Sequence, residues 1–210
     1  MTEVKTIGIV GAGKLGIVLA QLALKAGYQV VISSSSDPRR IALTVEVLAP
    51  GAVAATTAEV AAQADVIILA LPLGKFRQLN PADFADKLVI DAMNYWWEVD
   101  GERASILPDN QSSSQAVQGY LSDSRVVKTF SHMGYHDLYD ETRPKGQPER
   151  KALAVAGDNS NDVAIACQIV DSFGFDPLKI GNLASGRRLE PGGPVFGANL
   201  PIKDLEAKLN

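Results

Sequence analysis

Short apolar runs alternate along the chain with stretches whose apolar residues recur at helical spacing. Strands are predicted at residues 6–10, 28–32, 52–55, 66–70, 88–92, 125–130, 151–156 and 177–180. Helices are predicted at residues 14–26, between Asp37-Pro38 and Pro50-Gly51, and at 57–64, 161–173 and 202–209. This alternation is typical of an α/β fold, and it predicts a doubly wound parallel sheet with helices on both faces.

The composition excludes several classes of protein. Its formal net charge of −4 argues against nucleic acid or an anionic membrane as a partner. Cys167 is the chain's one cysteine and lies in an apolar run, so we expect neither a disulfide framework nor a cysteine-built metal site. The longest apolar run, Val66–Leu73, is too short to span a bilayer, and the first residues lack the apolar segment of a signal peptide. A soluble, cytoplasmic protein is therefore predicted.

A glycine-rich turn follows the first predicted strand and opens the first helix. It has the G-x-G-x-x-G spacing of dinucleotide-binding sites and reads Gly11-Ala12-Gly13-Lys14-Leu15-Gly16. Gly11 permits the tight turn, Gly13 lets the backbone approach a pyrophosphate, and Gly16 lets the helix pack on the strand. The helix N-terminus adds unpaired N–H groups and a positive dipole end. The turn makes the predicted sheet Rossmann-type.

The end of the second strand indicates which dinucleotide is bound. Sites for NAD usually have Asp or Glu there, whereas this chain has Ser33, Ser34, Ser35 and Ser36, followed by Arg39 and Arg40. Hydroxyl and guanidinium groups suit the 2′-phosphate of NADP, because arginine pairs with phosphate oxygens in a fork geometry. We therefore predict NADP as the cofactor, without deciding which of the two arginines contacts the 2′-phosphate.

Two further strand ends supply candidates for contacts with the dinucleotide. Leu71 and Pro72 follow the fourth strand, at the edge where open parallel sheets bind ligands. Asn94 follows the fifth strand and would either orient the nicotinamide or cap a turn. The next residues, Tyr95-Trp96-Trp97, are interpreted as a substrate wall or as an interface plug, and the sequence does not choose between these.

Both histidines lie in the loop after the sixth strand. Gly134 lies between His132 and His136 and disfavours the helical spacing that a metal site would need, so no metal is predicted. His132 is expected to line a pocket. Proton transfer by His132 remains the second interpretation, because imidazole titrates near neutral pH.

The succession of segments along nearly the whole chain resembles the deazaflavin-dependent NADP reductases. A related module is the cytosolic NADPH-binding domain of the six-transmembrane ferric reductases. After the glycine turn and the serine loop, the resemblance rests on Val126–Phe130 with His132, Ala154–Asp158, Phe173–Leu178, Gly181–Leu183 and Arg188–Glu190.

The resemblance implies a small homodimer that binds NADP and holds a deazaflavin or flavin against the nicotinamide. Residues 1–130 would form the dinucleotide-binding core, and 131–210 would add substrate-side and dimerisation elements to the same domain. Contacts to the pyrophosphate would fall on Gly11, Gly13, Lys14 and Leu15. Contacts near the 2′-phosphate would fall on Ser33, Ser34 and Arg39 or Arg40. Leu71, Pro72, His132 and Met133 would lie near the nicotinamide.

The chain departs from the family in three places. Ser33-Ser34 stands where a Ser-Arg pair is common, and Pro191–Pro194 replaces a hydroxyl-bearing segment. Residues 95–98 are an insertion that reshapes the pocket. These departures affect the acceptor's identity more than they affect NADP binding.

The predicted function is direct hydride transfer between NADPH and a planar acceptor such as a deazaflavin or flavin, without an obligate proton-transfer residue. One alternative is an NADPH-dependent reductase of a small carbonyl or imine, in which His132 or Tyr135 supplies the proton. Another is a non-catalytic redox sensor that binds NADP(H). The acceptor and the direction of flux stay open.

Overall fold

A computed structural model of the chain describes residues 3–35 and 37–210. Within them, the strands are β1 Thr6–Val10, β2 Gln29–Ser33, β3 Val53–Ala54, β4 Val66–Leu69, β5 Leu88–Asp91, β6 Arg125–Lys128, β7 Ala152–Gly157 and β8 Asp176–Lys179. The helices are α1 Lys14–Lys25, α2 Arg39–Leu48, α3 Thr57–Gln63, α4 Trp97–Asp100, α5 Ser113–Tyr120, α6 Tyr135–Asp140, α7 Ser160–Ser172 and α8 Ile202–Leu209. Short 3-10 helices cover Leu73–Gln78, Pro81–Phe84, Arg103–Ser105 and Leu183–Leu189.

The strands form one sheet in the order β3-β2-β1-β4-β5-β6-β7-β8. The six strands from β3 to β6 are parallel, and the chain reverses its direction across the sheet between β3 and β4. That order is the one in which two strand–helix units meet at β1 and β4, where open sheets bind dinucleotides. The predicted Rossmann-type fold is therefore confirmed.

Helices bury both faces of the sheet, which explains why its central strands are apolar throughout. In β4, Val66 and Ile68 face one buried cluster, which includes residues of α1 and α7. Ile67 and Leu69 face a second cluster on the opposite face, which includes residues of α3 and α5. A smaller third cluster packs α8 against β7. The alternation of side chains in β4 thus serves two cores at once.

The structure departs from the sequence prediction at β7 and α5. We expected a parallel sheet throughout, but β7 runs antiparallel to β6, with Lys128 opposite Ala156. The connection over residues 129–151 contains only the six-residue helix α6 and no long helix packed across the sheet, which is the usual means of returning a chain for a parallel strand. Helix α5 was not predicted because its stretch is polar, although the Ser112–Gln115 capping box marks its start.

Strand β8 adds to β7 in parallel, so residues 131–210 continue the same sheet and do not build a second one. The proposed division at residue 130, with dimerisation elements beyond it, stays a prediction. Across the described residues, no helix has the length and apolar content required to cross a bilayer.

His132 ties the loop after β6 to strand β7. Its imidazole is buried, and Nε2 accepts a hydrogen bond of 3.1 Å from the N–H of Ala154. Burial lowers the pKa of His132 to about 4, and the main chain of Ala198 opposes this shift. The ring is therefore neutral at physiological pH, and its accepting nitrogen is engaged within the fold.

Arg150 joins three segments near the start of strand β8. Its buried guanidinium pairs with Asp176 at the start of β8, at 2.5 Å, and with Asp171 in α7, at 2.8 Å. It also donates to the carbonyl oxygens of Arg143 and Asp171. Because both carboxylates stay partly buried, removal of the guanidinium would leave them without their main partner.

Arg150→Ala should lower the free energy of unfolding by about 3–5 kcal/mol, since it breaks a largely buried ion pair and leaves its partners uncompensated. Lys145→Ala is the matched control, because Lys145 pairs with the same Asp171 from an exposed position and should cost at most about 1 kcal/mol. Urea unfolding measures both variants. Equal losses for the two would contradict the role given to Arg150.

The folded-state pKa of His132 lies below the unfolded value of 6.5, so the unfolded chain binds the extra proton first. The contribution of the neutral ring to stability is therefore complete above pH 6.5 and is lost as the pH falls towards 4. His132→Gln should flatten the stability profile over this window by on the order of 3 kcal/mol. Exposed His136, replaced by Gln, should leave the profile measured by urea unfolding unchanged.

Candidate dinucleotide-binding site

A cleft of about 570 Å³ opens at the carboxyl ends of β1, β2 and β4. It lies at the edge where the sequence predicted a ligand. Its wall includes seven of the predicted cofactor residues, namely Gly11, Ala12, Gly13, Ser34, Ser35, Leu71 and Pro72.

The glycine turn has the geometry that the spacing predicted. Gly11 has a φ of +120°, and a Cβ there would lie 2.3 Å from the carbonyl oxygen of Ala70. A Cβ on Gly16 would lie 1.8 Å from the carbonyl oxygen of Gly11. Gly13, in contrast, has nothing within 4 Å of its Cβ position. Two glycines therefore let backbones meet inside the fold, while the third faces open space beside the cleft.

The start of α1 is suited to an anion. Gly13 is the N-cap and provides no side-chain hydrogen bond to the first turn, so N–H groups there are left for a ligand. Lys14 is exposed, and its Nζ lies 5.5 Å from the ring centroid of Tyr135. Leu15 is partly buried against the core of α1 and does not line the cleft.

The serine loop divides between the core and the cleft. Ser33 is fully buried at the end of β2, and its hydroxyl lies 3.2 Å from the hydroxyl of Thr57. Ser34 and Ser35 line the cleft. Ser36 lies outside the described residues. Ser33 therefore supports the loop from within, and the hydroxyls at the cleft belong to the residues that follow it.

The two arginines differ in their surroundings. Arg39 forms a two-pronged ion pair with Asp37, through Nη2 at 2.5 Å and Nε at 3.0 Å. This pairing lowers the pKa of Asp37, and the side chain of Arg39 is 90% exposed. Arg40 is also exposed and has no carboxylate partner among the described residues. Neither arginine lines the cleft.

Sequence reasoning missed part of the cleft wall. Thr56 and Thr57 line it at the start of α3, and Lys75 and Gln78 line it from the 3-10 helix after β4. The Thr56–Glu59 capping box was an available signal, because a helix that follows a parallel strand begins at the ligand edge. Among the cleft residues in the described part of the chain there is a lysine but no Asp or Glu.

The loops after β5 and β6 meet beside this cleft edge. Asn94 donates from Nδ2 to the carbonyl oxygen of Ser131 at 2.5 Å. Four buried polar atoms in these two loops lack a hydrogen-bond partner, namely Asn94 Oδ1, Thr129 Oγ1, Ser131 Oγ and His132 Nδ1. Buried polar atoms are usually paired in folded proteins, so a concentration of exceptions in two adjoining loops fits a ligand-binding region.

His132 and Met133 are buried and are not among the residues that line the cleft. The His132 ring is 1% exposed and bonds strand β7, and Met133 packs in the core of α1. Their direct contact with the cofactor stays a prediction. In the described chain, no cluster of three His, Cys, Asp or Glu could hold a metal ion.

A buried charge pair, absent from the sequence predictions, supports these loops. Lys128, at the end of β6, is fully buried and lies 3.3 Å from Asp91 at the end of β5. Its Nζ also donates to the carbonyl oxygen of Met93 at 2.5 Å, and Asp91 accepts from the N–H of Met93. Ser114 donates to Asp91 from α5. The pair therefore fixes the backbone immediately before Asn94.

The aromatic loop lies at the surface. Trp96 is 47% and Trp97 64% exposed, and Trp96 contacts Phe196 edge-on at a centroid distance of 5.7 Å. Phe196 belongs to the C-terminal segment, whose Gly197 donates to the carbonyl oxygen of His132. An apolar surface thus adjoins the loops after β5 and β6, as a substrate wall would, and an interface would use the same exposure.

Two curated proteins are similar to the chain, one over most of its length and one over a shorter stretch. Metalloreductase STEAP3 of Rattus norvegicus is 27% identical over 191 residues, which make up 90% of this chain and 36% of that protein. YjhV of Escherichia coli is 38% identical over 60 residues, 28% of this chain and 44% of that protein. The matches therefore span less than half of either curated relative.

Solved structures share the fold. A hypothetical protein of Sinorhizobium meliloti has a TM-score of 0.79 at 25% identity, covering 94% of this chain and 95% of that one. A protein of Arthrobacter sp. described as an F420-dependent NADP-reductase has a TM-score of 0.72 at 20% identity, with 86% of each chain covered.

The family comparison agrees with the resemblance drawn from the sequence. Residues 6–95, which contain the glycine turn, the serine loop and Asn94, match the model of the family described as NADP oxidoreductase, coenzyme F420-dependent. This description also agrees with the expected class of enzyme, an NADP-dependent oxidoreductase. Over residues 6–95, the chain is therefore similar to the coenzyme F420-dependent NADP oxidoreductases.

Proposed function

We propose that the protein is an oxidoreductase that transfers hydride between NADPH and a planar acceptor, with a deazaflavin or flavin as the first choice. The observation that carries the proposal is the glycine turn. Its Gly13 faces open space at a cleft whose wall has hydroxyls and a lysine but, in the described chain, no carboxylate. These residues fit a dinucleotide with an additional phosphate.

The residues of the chain fit the successive parts of NADP. Gly11, Ala12, Gly13 and Lys14, at the start of α1, would hold the pyrophosphate, with Leu15 packed behind them. Ser34 and Ser35 would contact the 2′-phosphate, and Thr57 would support them through Ser33. Leu71 and Pro72 would border the nicotinamide ribose. The unpaired oxygens near Asn94 and Ser131 would hydrogen-bond the nicotinamide carboxamide.

Arg40 is the better candidate for an arginine at the 2′-phosphate. Arg39 is engaged by Asp37, and its departure would leave that carboxylate uncompensated near a phosphate. Arg40 stands in the first turn of α2, where its fork can pair with phosphate oxygens without breaking an existing ion pair. Arg39 would then neutralise Asp37.

When bound, NADPH supplies a hydride to the acceptor, and the chain's own part is orientation and exclusion of water. The Lys128–Asp91 pair holds the loop before Asn94, and Trp96 and Phe196 offer an apolar surface for a planar ring. His132 is a poor proton donor, because its ring is neutral and buried with Nε2 bonded to Ala154. This arrangement favours ring-to-ring transfer over reduction of a carbonyl or imine.

We further propose a cytoplasmic homodimer, on the basis of the family resemblance and of the absence of any predicted membrane or nucleic-acid affinity. The acidic net charge of −4 supports small molecules as its ligands.

The wild-type protein should bind NADPH at least about tenfold more tightly than NADH, since charge-assisted hydrogen bonds to the 2′-phosphate are worth about 1.5–3 kcal/mol. Arg40→Ala should remove most of this preference, measured by titration calorimetry, without changing NADH affinity. Arg39→Ala is the matched control and should have the smaller effect. Equal affinity of the wild type for the two dinucleotides would refute NADP specificity.

His132→Gln should retain turnover within a few-fold when NADPH oxidation is followed with flavin, deazaflavin and quinone acceptors. Gln can still accept from the Ala154 N–H, so the fold is preserved. A reductase that takes its proton from this imidazole should instead lose about 10²–10⁴ in rate. Tyr135→Phe tests the other donor in the same assay. Tight NADPH binding without turnover of any acceptor would favour the redox sensor.

A further inference from the structure

A second cleft, of about 860 Å³, lies on the α5 side of the sheet. We call it the arginine cleft, after Arg103, Arg187 and Arg188, which line it together with Glu190 and the segment Pro191–Pro194. Arg103 comes from the loop that follows the aromatic residues. The other two come from the 3-10 helix Leu183–Leu189. Three guanidinium groups from two distant segments therefore converge on one depression.

The acidic groups of the cleft do not neutralise these arginines. Glu190 accepts from the N–H of Ser113 at 2.6 Å and lies 3.8 Å from Arg103, so one carboxylate is shared between the start of α5 and one arginine. Asp109 is exposed and meets Arg187 only through its carbonyl oxygen, at 3.5 Å. Arg187 and Arg188 have no carboxylate within 4.0 Å among the described residues.

The glycines of the Pro191–Pro194 segment contribute backbone to the wall of the cleft. Gly192 has a φ of +87° and nothing within 4 Å of its Cβ position, whereas a Cβ on Gly193 would lie 2.4 Å from the carbonyl oxygen of Arg188. Gly193 therefore holds the segment against Arg188, and Gly192 leaves room above it. Phosphate and carboxylate groups are the ligands that guanidinium forks recognise in such a cleft.

The two segments of the arginine cleft also build the proposed acceptor wall. The loop that contains Arg103 begins at Trp96, and the segment that follows Gly193 continues to Phe196, which contacts Trp96. Gly186, beside Arg187, packs on the buried stem of Lys128, because a Cβ there would lie 3.2 Å from its Cγ. The arginines are therefore connected to the loop that presents Asn94.

We propose that the arginine cleft binds an anionic group, a phosphate or carboxylate, carried by the hydride acceptor. This inference rests on the proposed function, and it narrows the acceptor to a planar ring with an anionic side chain. A neutral flavin, quinone or imine would leave Arg187 and Arg188 without a partner. Pro191–Pro194 then contributes space and backbone in place of hydroxyl contacts.

Flavin mononucleotide and riboflavin are suitable probes, because they share a ring and differ by one phosphate. Trp96 lies at the proposed wall and Trp97 follows it in the chain, so quenching of tryptophan fluorescence reports flavin binding without turnover. We expect the NADPH complex to bind flavin mononucleotide at least about tenfold more tightly than riboflavin, and the difference to shrink with added salt. The double variant Arg187→Gln, Arg188→Gln should abolish the difference and leave riboflavin binding unchanged.

Arg143→Gln is the matched control, since this exposed arginine pairs with Glu141 away from the cleft and should preserve the preference. A wild type without preference, a preference that survives the double variant, or an absence of quenching by flavin mononucleotide would each overturn the proposal.

NADPH oxidation measured in parallel separates the claim about the arginine cleft from the proposed function. Equal turnover of both flavins by wild type and double variant keeps the function and refutes the cleft. If the wild type prefers flavin mononucleotide, the double variant loses this preference, and neither flavin is turned over, the arginine cleft is supported and the proposed function is refuted.

Discussion

Close contact between main chains at the first turn of α1 is the constraint on which the rest of the site depends. Gly11 lies against the carbonyl of Ala70 at the end of β4, and Gly16 lies against the carbonyl of Gly11. These contacts bring β1, β4 and α1 together closely enough to leave the N-terminus of the helix pointing at the edge of the sheet. Side chains at either glycine would separate these elements and move every residue of the cleft.

The fold was predictable where local pattern and tertiary burial agree. The apolar runs of β1, β4 and β5 need helices on both faces, and the alternation of elements indicates that arrangement. The direction of β7 was not predictable, because it depends on the path of the loop after β6 and not on the pattern within the strand. Helix α5 was not predicted because several of its buried residues are serines, which a search for apolar periodicity does not count.

The site was predictable where one residue type has one backbone use, as with the three glycines. The site was harder to predict where the role of a side chain depends on its neighbours in space. Ser33 looks like its neighbours in sequence, yet the strand end turns it towards Thr57 and the next two serines towards the cleft. The contact of Lys128 with Asp91 follows from the pairing of β5 with β6, which places these residues opposite each other. Sequence alone does not give that register.

The antiparallel entry of β7 has a mechanical consequence. All eight strands form one sheet, which also supports the nucleotide turn. The C-terminal segment is attached to this sheet by the bridge between Lys151 and Pro201. Two-domain enzymes can admit and release ligands by bending at a hinge between lobes. Here a continuous sheet links the nucleotide turn to the C-terminal segment. Opening of the site would therefore require movement of surface loops, such as the loop that begins at Trp96. Substrates and products would then enter and leave through local movements of loops, while the sheet stays rigid.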